Sequence, residues 1–344
     1  MRFSQHKEVA VLVLNWNGRT LLQQFLPSWL AHTPDYADLI IVDNGSTDDS
    51  VSFLQEHYRD VHLLAFEENL GFAGGYNQAI EELDYQTVIL LNSDVELTSG
   101  WLDQPMQLLN SSPEIAAVQP TLRAQRSPKD FEYAGAAGGF IDRLGYPFCR
   151  GRIFDTIEED RGQYADSVDL FWASGACLII RRAVYREVGG LDTLFFAHQE
   201  EIDLCWRLNA RGWRIVSAPQ SIVYHVGGAS LSADSPRKVF LNFRNNLLMI
   251  YKNLPAPTLY RVLFARMLLD LVAMLVYLLR LRPGQAASVL KGWRCFLIKR
   301  QRYESTRQEN LKKTVRPISP ELMKPYSLLF QYYFKGRKRY SDLP

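Results

Sequence analysis

Cysteine is scarce in this sequence, and its spacing excludes the structures that cysteine usually supports. The chain of 344 residues contains four cysteines, and none of them forms a C-x-x-C pair. We therefore expect neither a disulfide framework nor a zinc ribbon. A reducing compartment such as the cytoplasm fits this usage best.

The N-terminus lacks a long hydrophobic run. Charged residues are followed by only six apolar ones, VAVLVL at 9–14, which is too short for the core of a signal peptide. This run is typical of a first buried strand. The sequence also lacks tandem repeats and low-complexity segments, and its hydrophobic share of 47% indicates a globular core.

Two common phosphate-binding motifs are missing. The segment NLGFAGGYN at 69–77 follows neither G-x-G-x-x-G nor G-x-x-x-x-G-K-[ST], which disfavours a Rossmann dinucleotide site and a P-loop. Its glycines would still let the backbone approach a ligand, and the helix after them would offer N–H groups to phosphate. A nucleotidyltransferase usually has a Gly-rich phosphate loop with Arg or Lys after its first strand, and NWNGRT does not match that pattern.

Charge is balanced overall but unevenly distributed. The net charge is +2, whereas residues 280–344 contain 16 Lys or Arg and four Asp or Glu, a net charge of +12. The remainder therefore carries about −10, and a basic tail on an acidic body predicts an anionic surface or partner. No recognisable nucleic-acid-binding module accompanies the tail, so we do not expect nucleic acid to be that partner.

Apolar runs at 9–14, 39–42, 61–66 and 87–91 alternate with segments of helical periodicity. This alternation predicts a parallel sheet covered by helices on both faces. Ligands of such sheets bind at the carboxyl ends of the strands. The segments expected there, NWNG, DNGSTDD, ENLGFAGG and NSDVE, are all polar or glycine-rich.

The second half of the chain is less regular. Residues 121–168 predict a hairpin-like excursion or flap, and short strands are expected at 214–217 and 222–225. The helix that Gly212 should end carries Asp203, Arg207 and Arg211 at intervals of four, which predicts a solvated face of ion pairs. From about residue 236 the pattern is helical, so we divide the chain into a catalytic domain, 1–235, and a helical basic extension, 236–344.

Residues 259–281 are long and apolar enough to cross a membrane. Arg266 and Asp270 lie within this segment, and each would cost roughly 2.5–3.5 kcal/mol at the centre of a bilayer. We therefore expect either an amphipathic helix at a membrane surface or a helix packed on protein, including a second subunit.

Several acids at predicted strand or helix ends have two interpretations each. Asp43 would accept the imide N–H of a pyrimidine base, or it is only part of an Asp-Asn-Gly turn. Asp94, with Glu96, would ligate a divalent cation, or it is a solvated loop acid. Glu201, at a helix N-terminus, suits a general base, or it only reflects the preference of helix starts for acids, which explains Glu200 better. His225 is a satisfied polar group unless an acid lies nearby.

Seven segments, in this order, carry a resemblance to a known family. They are VLNWNG (13–18), DNGSTD (43–48), NLGFAGGYN (69–77), LLNSDVE (90–96), SGACLIIRR (174–182), EEIDLCWR (200–207) and YHVGG (224–228). Together they resemble the family 2 glycosyltransferases with the GT-A fold, over roughly residues 8–250. The pattern is most similar to the bacterial rhamnosyltransferase-type branch.

The resemblance implies an inverting transfer of a sugar from a nucleoside diphosphate. It places the general base at Glu201, with Glu200 as the alternative, and a Mg²⁺ or Mn²⁺ site at Asp94 and His225. Residues expected to contact the nucleotide are Asn15, Trp16, Asp43, Asn69, Gly71 and Asn77. Residues expected on the acceptor or diphosphate side are Ser174, Gly175, Ala176 and Arg244.

Two departures from the family pattern stand out. The metal motif D-x-D is replaced by Asn92-Ser93-Asp94, so one carboxylate is missing and Glu96 is a possible helper. The base position has Glu instead of the commoner Asp. The missing acid keeps open a non-catalytic sugar-nucleotide-binding protein as an alternative to an enzyme.

The resemblance also implies partners and a location. The expected donor is dTDP-rhamnose or a UDP-sugar, and the expected acceptor is a glycan or polyprenyl-linked glycan in cell-surface polysaccharide assembly. We expect a cytoplasmic protein, at the inner face of the membrane if the apolar helix contacts lipid. A homodimer is expected if that helix instead contacts a second subunit.

Overall fold

A nine-stranded sheet lies at the centre of the protein in the computed structural model, which describes residues 7–227 and 235–344. The strands are β1 Val9–Asn15, β2 Ala37–Asn44, β3 His62–Phe66, β4 Thr87–Asn92, β5 Val95–Glu96, β6 Ile115–Ala124, β7 Ser127–Phe131, β8 Gly139–Asp142, β9 Pro147–Cys149, β10 Arg152–Ile153, β11 Thr156–Ile157, β12 Cys177–Arg181, β13 Arg214–His225 and β14 Met323–Lys324. Along the central sheet the strands run in the order β3-β2-β1-β4-β12-β6-β13-β5, and β7 pairs with β6.

Helices cover both faces of this sheet. They are α1 Arg19–His32, α2 Ser50–His57, α3 Gly71–Glu82, α4 Asp103–Ser111, α5 Arg182–Glu187, α6 Glu200–Ala210, α7 Pro236–Asn253, α8 Ala256–Leu279, α9 Pro283–Lys299 and α10 Glu304–Lys312. Alternate residues of β1 point to opposite faces, so Val11 packs with α1 while Leu12 packs with α3. Two hydrophobic cores result, one on each face.

The predicted parallel arrangement is confirmed. β1, β2, β3 and β4 are mutually parallel, β12 is antiparallel to β4 and β6, and β13 is parallel to β6. The carboxyl ends of β1, β2, β4 and β13 therefore meet at one edge. This is the mostly parallel, helix-flanked sheet of the GT-A fold, followed by a helical C-terminal region.

The hairpin-like alternative for residues 121–168 is confirmed, whereas the expectation of two separate strands at 214–217 and 222–225 needs correction. Antiparallel pairs join β6 to β7, β8 to β9 and β10 to β11, and β8 to β11 belong to a second, five-stranded sheet in the order β11-β10-β9-β8-β14. The last strand of that sheet, Met323–Lys324, comes from the C-terminal region and pairs with β8. The strands expected at 214–217 and 222–225 are one strand, β13, with a register irregularity between Ala218 and Ile222.

On α6 the predicted ion pair between Asp203 and Arg207 is confirmed, but the prediction that this face is solvated is wrong. Asp203 is fully buried, and its carboxylate accepts hydrogen bonds from Arg207, Lys252 and Asn253. Two of these partners lie on α7, about 50 residues further along the chain. Spacing within one helix shows which side chains are neighbours, but it does not show whether another helix covers them.

Helix α8 is the only helix in the described residues that is long and apolar enough to cross a membrane. Its inward face is formed by Leu259, Val262, Arg266 and Asp270, which are buried. Arg266 donates hydrogen bonds to Asn246 and to the carbonyl of Leu144, and Asp270 accepts one from Trp293. The two charges that make this helix unlike a membrane span therefore have partners inside the protein.

Candidate active site

Asp43 and Asn15 lie side by side at the carboxyl ends of β2 and β1. Their positions are paired in the sheet, and Nδ2 of Asn15 donates to Oδ2 of Asp43 at 2.9 Å. The backbone N–H of Ser46 donates to the other carboxylate oxygen at 2.9 Å. Both side chains are buried, so Asp43 holds the start of the loop and presents its carboxylate at the sheet edge.

Trp16 follows β1 directly and is 56% exposed. The loop that carries it is tied to the loop after β2, because Oδ1 of Asn17 accepts from the N–H groups of Thr47 and Asp48. Asn17 has a φ of 50°, in the region that asparagine tolerates better than most residues. A large exposed aromatic ring is thus held beside Asp43, where it can stack on a planar base.

Asn44 is a site residue that sequence reasoning missed. Its side chain donates to Asn69 Oδ1 at 3.1 Å and to the carbonyl of Gly71 at 3.0 Å, and it accepts from the N–H of Leu70 at 3.0 Å. These bonds fix the glycine-containing segment against β2. The only signal in the sequence was its place in DNGSTDD, where an asparagine is expected simply as a turn residue.

The predicted nucleotide-contacting residues of this segment lie in different surroundings. Asn69 and Gly71 lie at the sheet edge, with the N–H of Gly71 donating to Asn69 Oδ1. The amide of Asn77 instead bonds both backbone groups of Leu191 and accepts from the hydroxyl of Tyr185. These bonds favour a structural role for Asn77, which holds α3 against the loop before α6.

The structure brings Asp94 and His225 together. Nε2 of His225 lies 3.0 Å from Oδ1 of Asp94, because β13 pairs with β5 at His225 and Val95. Glu132, just after β7, lies on the other side of the ring, with Oε1 3.4 Å from Nδ1. Burial lowers the pKa of His225, but these two carboxylates outweigh it and raise the pKa to about 10. Glu132 lies within residues 121–168, and no pattern in the sequence indicates it as a site residue.

This pair has the donor chemistry of a Mn²⁺ or Mg²⁺ site. One carboxylate and one imidazole would leave the remaining positions to diphosphate oxygens and water. Ligation would require the neutral imidazole, so the ring proton would have to leave. Within residues 7–227 and 235–344, no group of three or more His, Cys, Asp or Glu side chains is arranged around a metal position. The fit therefore rests on Asp94 and His225.

Glu200 and Glu201 begin α6 but differ in surroundings. Glu200 is buried, and its Oε2 has no hydrogen-bond partner. Burial and the neighbouring Glu201 charge raise the pKa of Glu200 well above its usual value. Burial also raises the pKa of Glu201, to about 7. A carboxyl group with that pKa can both accept and release a proton near neutral pH, as a general base must.

Residues 174–176 connect Glu201 to the Asp94–His225 pair. A Cβ added to Gly175 would lie 3.7 Å from Cβ of Glu201, so the backbone passes directly beside Glu201. The next residue, Ala176, accepts a hydrogen bond from the N–H of Asn92, whose side chain lies 3.5 Å from His225 Nε2. Ser174 is buried, and its hydroxyl donates to the carbonyl of Ala134. Gly175 is therefore the member of this segment that lies next to Glu201.

The backbone before Glu200 is held in an uncommon conformation. Phe196, His198 and Gln199 have φ values of 67°, 71° and 71°, and such residues persist only when their surroundings hold them. Arg244 donates to the carbonyls of Leu194 and Phe195. Its neighbour Asn245 donates to the carbonyls of Phe195, Ala197 and His198.

The guanidinium of Arg244 therefore makes hydrogen bonds to backbone carbonyls of the protein. Its guanidinium is buried and also bonds Asn245, which leaves its predicted diphosphate or acceptor contact without support in this geometry. A positioning role, through the loop that leads to Glu201, explains these contacts better.

Lys252, on α7, forms ion pairs with Asp203 on α6 and with Asp192 in the loop before α6, and its removal should destabilise the protein. Its ammonium lies 2.5 Å from Asp192 and 2.8 Å from Asp203, and the side chain is 2% exposed. Lys252→Met removes the ammonium from Asp192 and from the buried Asp203, which keeps Arg207 as an ion-pair partner, so we expect a loss of about 1.5–3 kcal/mol in the free energy of unfolding. Urea denaturation measures it. Lys313→Met, at an exposed pair with Glu309, should cost less than about 1 kcal/mol, and equal losses would contradict the prediction.

Solved structures with a similar fold include glycosyltransferases bound to sugar nucleotides. The mannosyltransferase PcManGT from Pyrobaculum calidifontis, in complex with GDP-Man and Mn²⁺, aligns with a TM-score of 0.52 at 14% identity, over 90% of this chain and 87% of that one. TarS 1–349 from S. aureus, in complex with UDP-GlcNAc, aligns with a TM-score of 0.55 at 13% identity, over 89% and 88%. At these identities the likeness shows the fold.

The sequence comparisons agree with this fold. The N-acetylglucosaminyl-diphospho-decaprenol L-rhamnosyltransferase of Mycobacterium tuberculosis is 28% identical over 242 residues, which are 65% of this chain and 78% of that protein. The model of Glycosyl transferase family 2 matches residues 10–189, more than half of the chain and the part that holds β1 to β12. The protein is a glycosyltransferase that belongs to glycosyl transferase family 2.

Proposed function

We propose that the protein transfers a sugar, with inversion, from a nucleoside diphosphate to a hydroxyl group of a lipid-linked glycan. The observation that carries this proposal is the placement of Glu201. Its pKa of about 7 suits a base, and residues 175–176 lead from it to the Asp94–His225 pair. A direct displacement needs a base for the acceptor hydroxyl and a centre that stabilises the departing anion. Glu201 and the Asp94–His225 pair would supply these on either side of residues 175–176.

The proposed reaction is a single displacement at the anomeric carbon. Glu201 takes the proton of the acceptor hydroxyl as its oxygen forms the new bond to the anomeric carbon. The bond from that carbon to the diphosphate oxygen breaks on the opposite face, and its electrons leave with the nucleoside diphosphate. The transition state resembles the oxocarbenium-like one of glycoside hydrolysis. No second protein acid is required, because the diphosphate leaves as an anion.

The charge of the departing diphosphate has to be neutralised at the sheet edge. Asp94 and His225 would hold a Mg²⁺ or Mn²⁺ ion, whose positive charge supports that departure. Glu132 would then orient His225 from the ring nitrogen opposite Asp94, as second-layer carboxylates commonly do for metal-bound histidines. The Mn²⁺ named with PcManGT supports the choice of cation.

We propose that Trp16 and Asp43 bind the base of the donor and that residues 69–71 line its ribose and phosphates. Asn44 would keep that segment in place. The L-rhamnosyl group in the name of the mycobacterial relative supports dTDP-L-rhamnose as the donor. The UDP-GlcNAc bound to TarS keeps a UDP-sugar as the alternative.

The proposed acceptor is a polyprenyl diphosphate that carries the growing glycan of a cell-surface polysaccharide. The same relative is named for an N-acetylglucosaminyl-diphospho-decaprenol substrate, which supports a lipid carrier. Such a carrier stays in the membrane while its sugar is extended. We therefore place the protein in the cytoplasm at the inner face of the membrane.

Donor binding can be tested by thermal unfolding with dTDP-rhamnose, UDP-sugars and the free nucleotides, with and without Mn²⁺. A bound ligand at 100 times its Kd stabilises the native state by about 2.7 kcal/mol. We expect a metal-dependent rise in Tm that is largest for dTDP-rhamnose. Trp16→Ala should weaken donor binding about 10- to 100-fold, because one base-stacking contact is lost.

Tyr36→Ala removes another exposed aromatic ring and serves as the matched control, which should bind the donor normally. Well-folded protein that shows no rise in Tm with any nucleotide would refute the donor site. A larger rise with a UDP-sugar would keep the site and change the donor.

A further inference from the structure

Helix α8 has an exposed apolar face, and the neighbouring helix α9 has exposed apolar side chains as well. Exposed large side chains recur along α8 at intervals of three or four, which places them on one side of the helix, opposite the buried Arg266 and Asp270. Helix α9 packs on α8 and adds exposed apolar side chains of its own. The apolar face comprises Phe264, Leu268, Leu271, Leu275, Leu279 and, on α9, Leu290.

Such a face is unusual for a surface that contacts only water. Leu279 is 76% exposed and Phe264 is 61% exposed, and both belong to a 24-residue helix that is long and apolar enough to cross a membrane. Contiguous exposed apolar surfaces of this kind mark protein or membrane contacts.

The charges around the apolar face identify its partner. Between residues 256 and 299 the sequence contains seven Lys or Arg and one acid, Asp270, which is buried against Trp293. The exposed charges of α8 and α9 are therefore all positive, and they include Arg261, Arg280, Lys291 and Arg294. A second copy of the chain would bring two such basic rims together and repel, whereas an anionic bilayer would attract them.

We propose that α8 and α9 dock this apolar face onto a bilayer that contains anionic lipid. The helices lie on the membrane and do not cross it, because Arg266 and Asp270 remain bonded to Asn246 and Trp293. Apolar side chains enter the headgroup region while the basic rim contacts lipid phosphates.

The same contacts orient the active site toward the membrane. A Cβ added to Gly284, where α9 begins, would lie 3.3 Å from Cγ of Pro236, the first residue of α7. The next residue, Arg237, stacks over the ring of Phe196 at 5.0 Å, and that ring lies beside Gly71. The start of α9 is thus connected through the start of α7 and Phe196 to residues 69–71, so a carrier anchored in the bilayer would approach the site from that end. This orientation rests on the proposed function, whereas the docking itself does not.

Flotation of the full-length protein with vesicles tests the docking. We expect flotation with vesicles of phosphatidylcholine and phosphatidylglycerol, much less with phosphatidylcholine alone, and a loss at high salt. Leu271→Glu with Leu275→Glu should lower binding to anionic vesicles at least about tenfold, because two charges would have to enter the apolar interface. Lys291→Glu with Arg294→Glu should weaken anionic binding while leaving the apolar face intact.

Leu30→Glu is the matched control, since Leu30 is an exposed leucine of α1 on the opposite face of the sheet. It should float like the unaltered protein. Thermal unfolding of each variant without ligand checks that it is folded, and flotation requires neither donor binding nor enzymatic activity, so failure of docking is distinguishable from failure of the proposed reaction.

Protein that remains unbound to every vesicle would overturn the docking proposal. If light scattering then found a dimer that the Leu271→Glu, Leu275→Glu variant dissociates, the apolar face would be a self-association surface. Equal flotation with neutral and anionic vesicles would overturn the role of the basic rim.

Discussion

Glu201→Gln is expected to lower turnover about 1000-fold while leaving donor affinity unchanged. The amide keeps the shape of the side chain and its place beside Gly175, but it cannot accept the proton of the acceptor hydroxyl. Turnover is measured as nucleoside diphosphate released in the presence of acceptor, and donor affinity is measured by calorimetry. A variant with near-normal turnover would show that Glu201 is not the base.

The neighbouring acid provides a matched control. Glu200 is buried, and burial together with the neighbouring Glu201 charge raises its pKa well above the usual value, which favours the neutral acid that Glu200→Gln imitates. Its turnover should stay within about tenfold of the unaltered protein. The opposite result, a large loss at Glu200 and a small one at Glu201, would move the base to Glu200.

The pH dependence of kcat/KM follows from the same residue. Because burial raises the pKa of Glu201 to about 7, the carboxyl group remains protonated below that pH and cannot act as a base. Activity should therefore fall as pH decreases through about 7, by about tenfold for each further pH unit.

Asp94→Asn is expected to lower turnover at least about 100-fold and to remove the metal dependence that we propose for donor binding. Asn is nearly the same size and can still accept a hydrogen bond from His225, so the β5–β13 contact should persist. It lacks the negative charge that a divalent cation requires here, because Asp94 supplies the only carboxylate left in the Asn92-Ser93-Asp94 segment.

The measurement is Mn²⁺ titration with the donor present, followed by turnover as a function of Mn²⁺ concentration. Glu96→Gln is the control, since Glu96 lies two residues away and accepts only a long hydrogen bond, 3.4 Å, from Gln125. It should behave normally. Unchanged metal dependence in Asp94→Asn together with a loss in Glu96→Gln would assign the cation to Glu96.

The domain boundary after residue 235 remains a prediction, and the chain shows why sequence could not decide it. The boundary was drawn where strand patterns give way to helical ones. Yet α7 supplies Lys252 to the Asp192 and Asp203 carboxylates, and β14 near the C-terminus joins the second sheet. Composition and periodicity show a change in secondary structure, but they do not show which segments share a core.

The sequence by itself determined the class of fold, the family and the order of the polar strand ends. Residue periodicity is a local property, so the parallel strands, their helices and the ends that carry Asn15, Asp43 and Asp94 follow from it directly. The predicted proximity of Asp94 and His225 came from the resemblance, and the pairing of β5 with β13 now accounts for it.

Only the tertiary structure decided what surrounds each of these side chains. Burial raises the pKa of Glu201 to about 7 and that of Glu200 well above its usual value. Asp203, predicted on a solvated face of α6, is instead buried in contact with Lys252. Arg244 donates hydrogen bonds to backbone carbonyls. Each of these effects comes from a segment distant in sequence, since the pKa and the hydrogen bonds of a side chain depend on the atoms packed around it. Spacing along one helix or strand carries no information about those atoms.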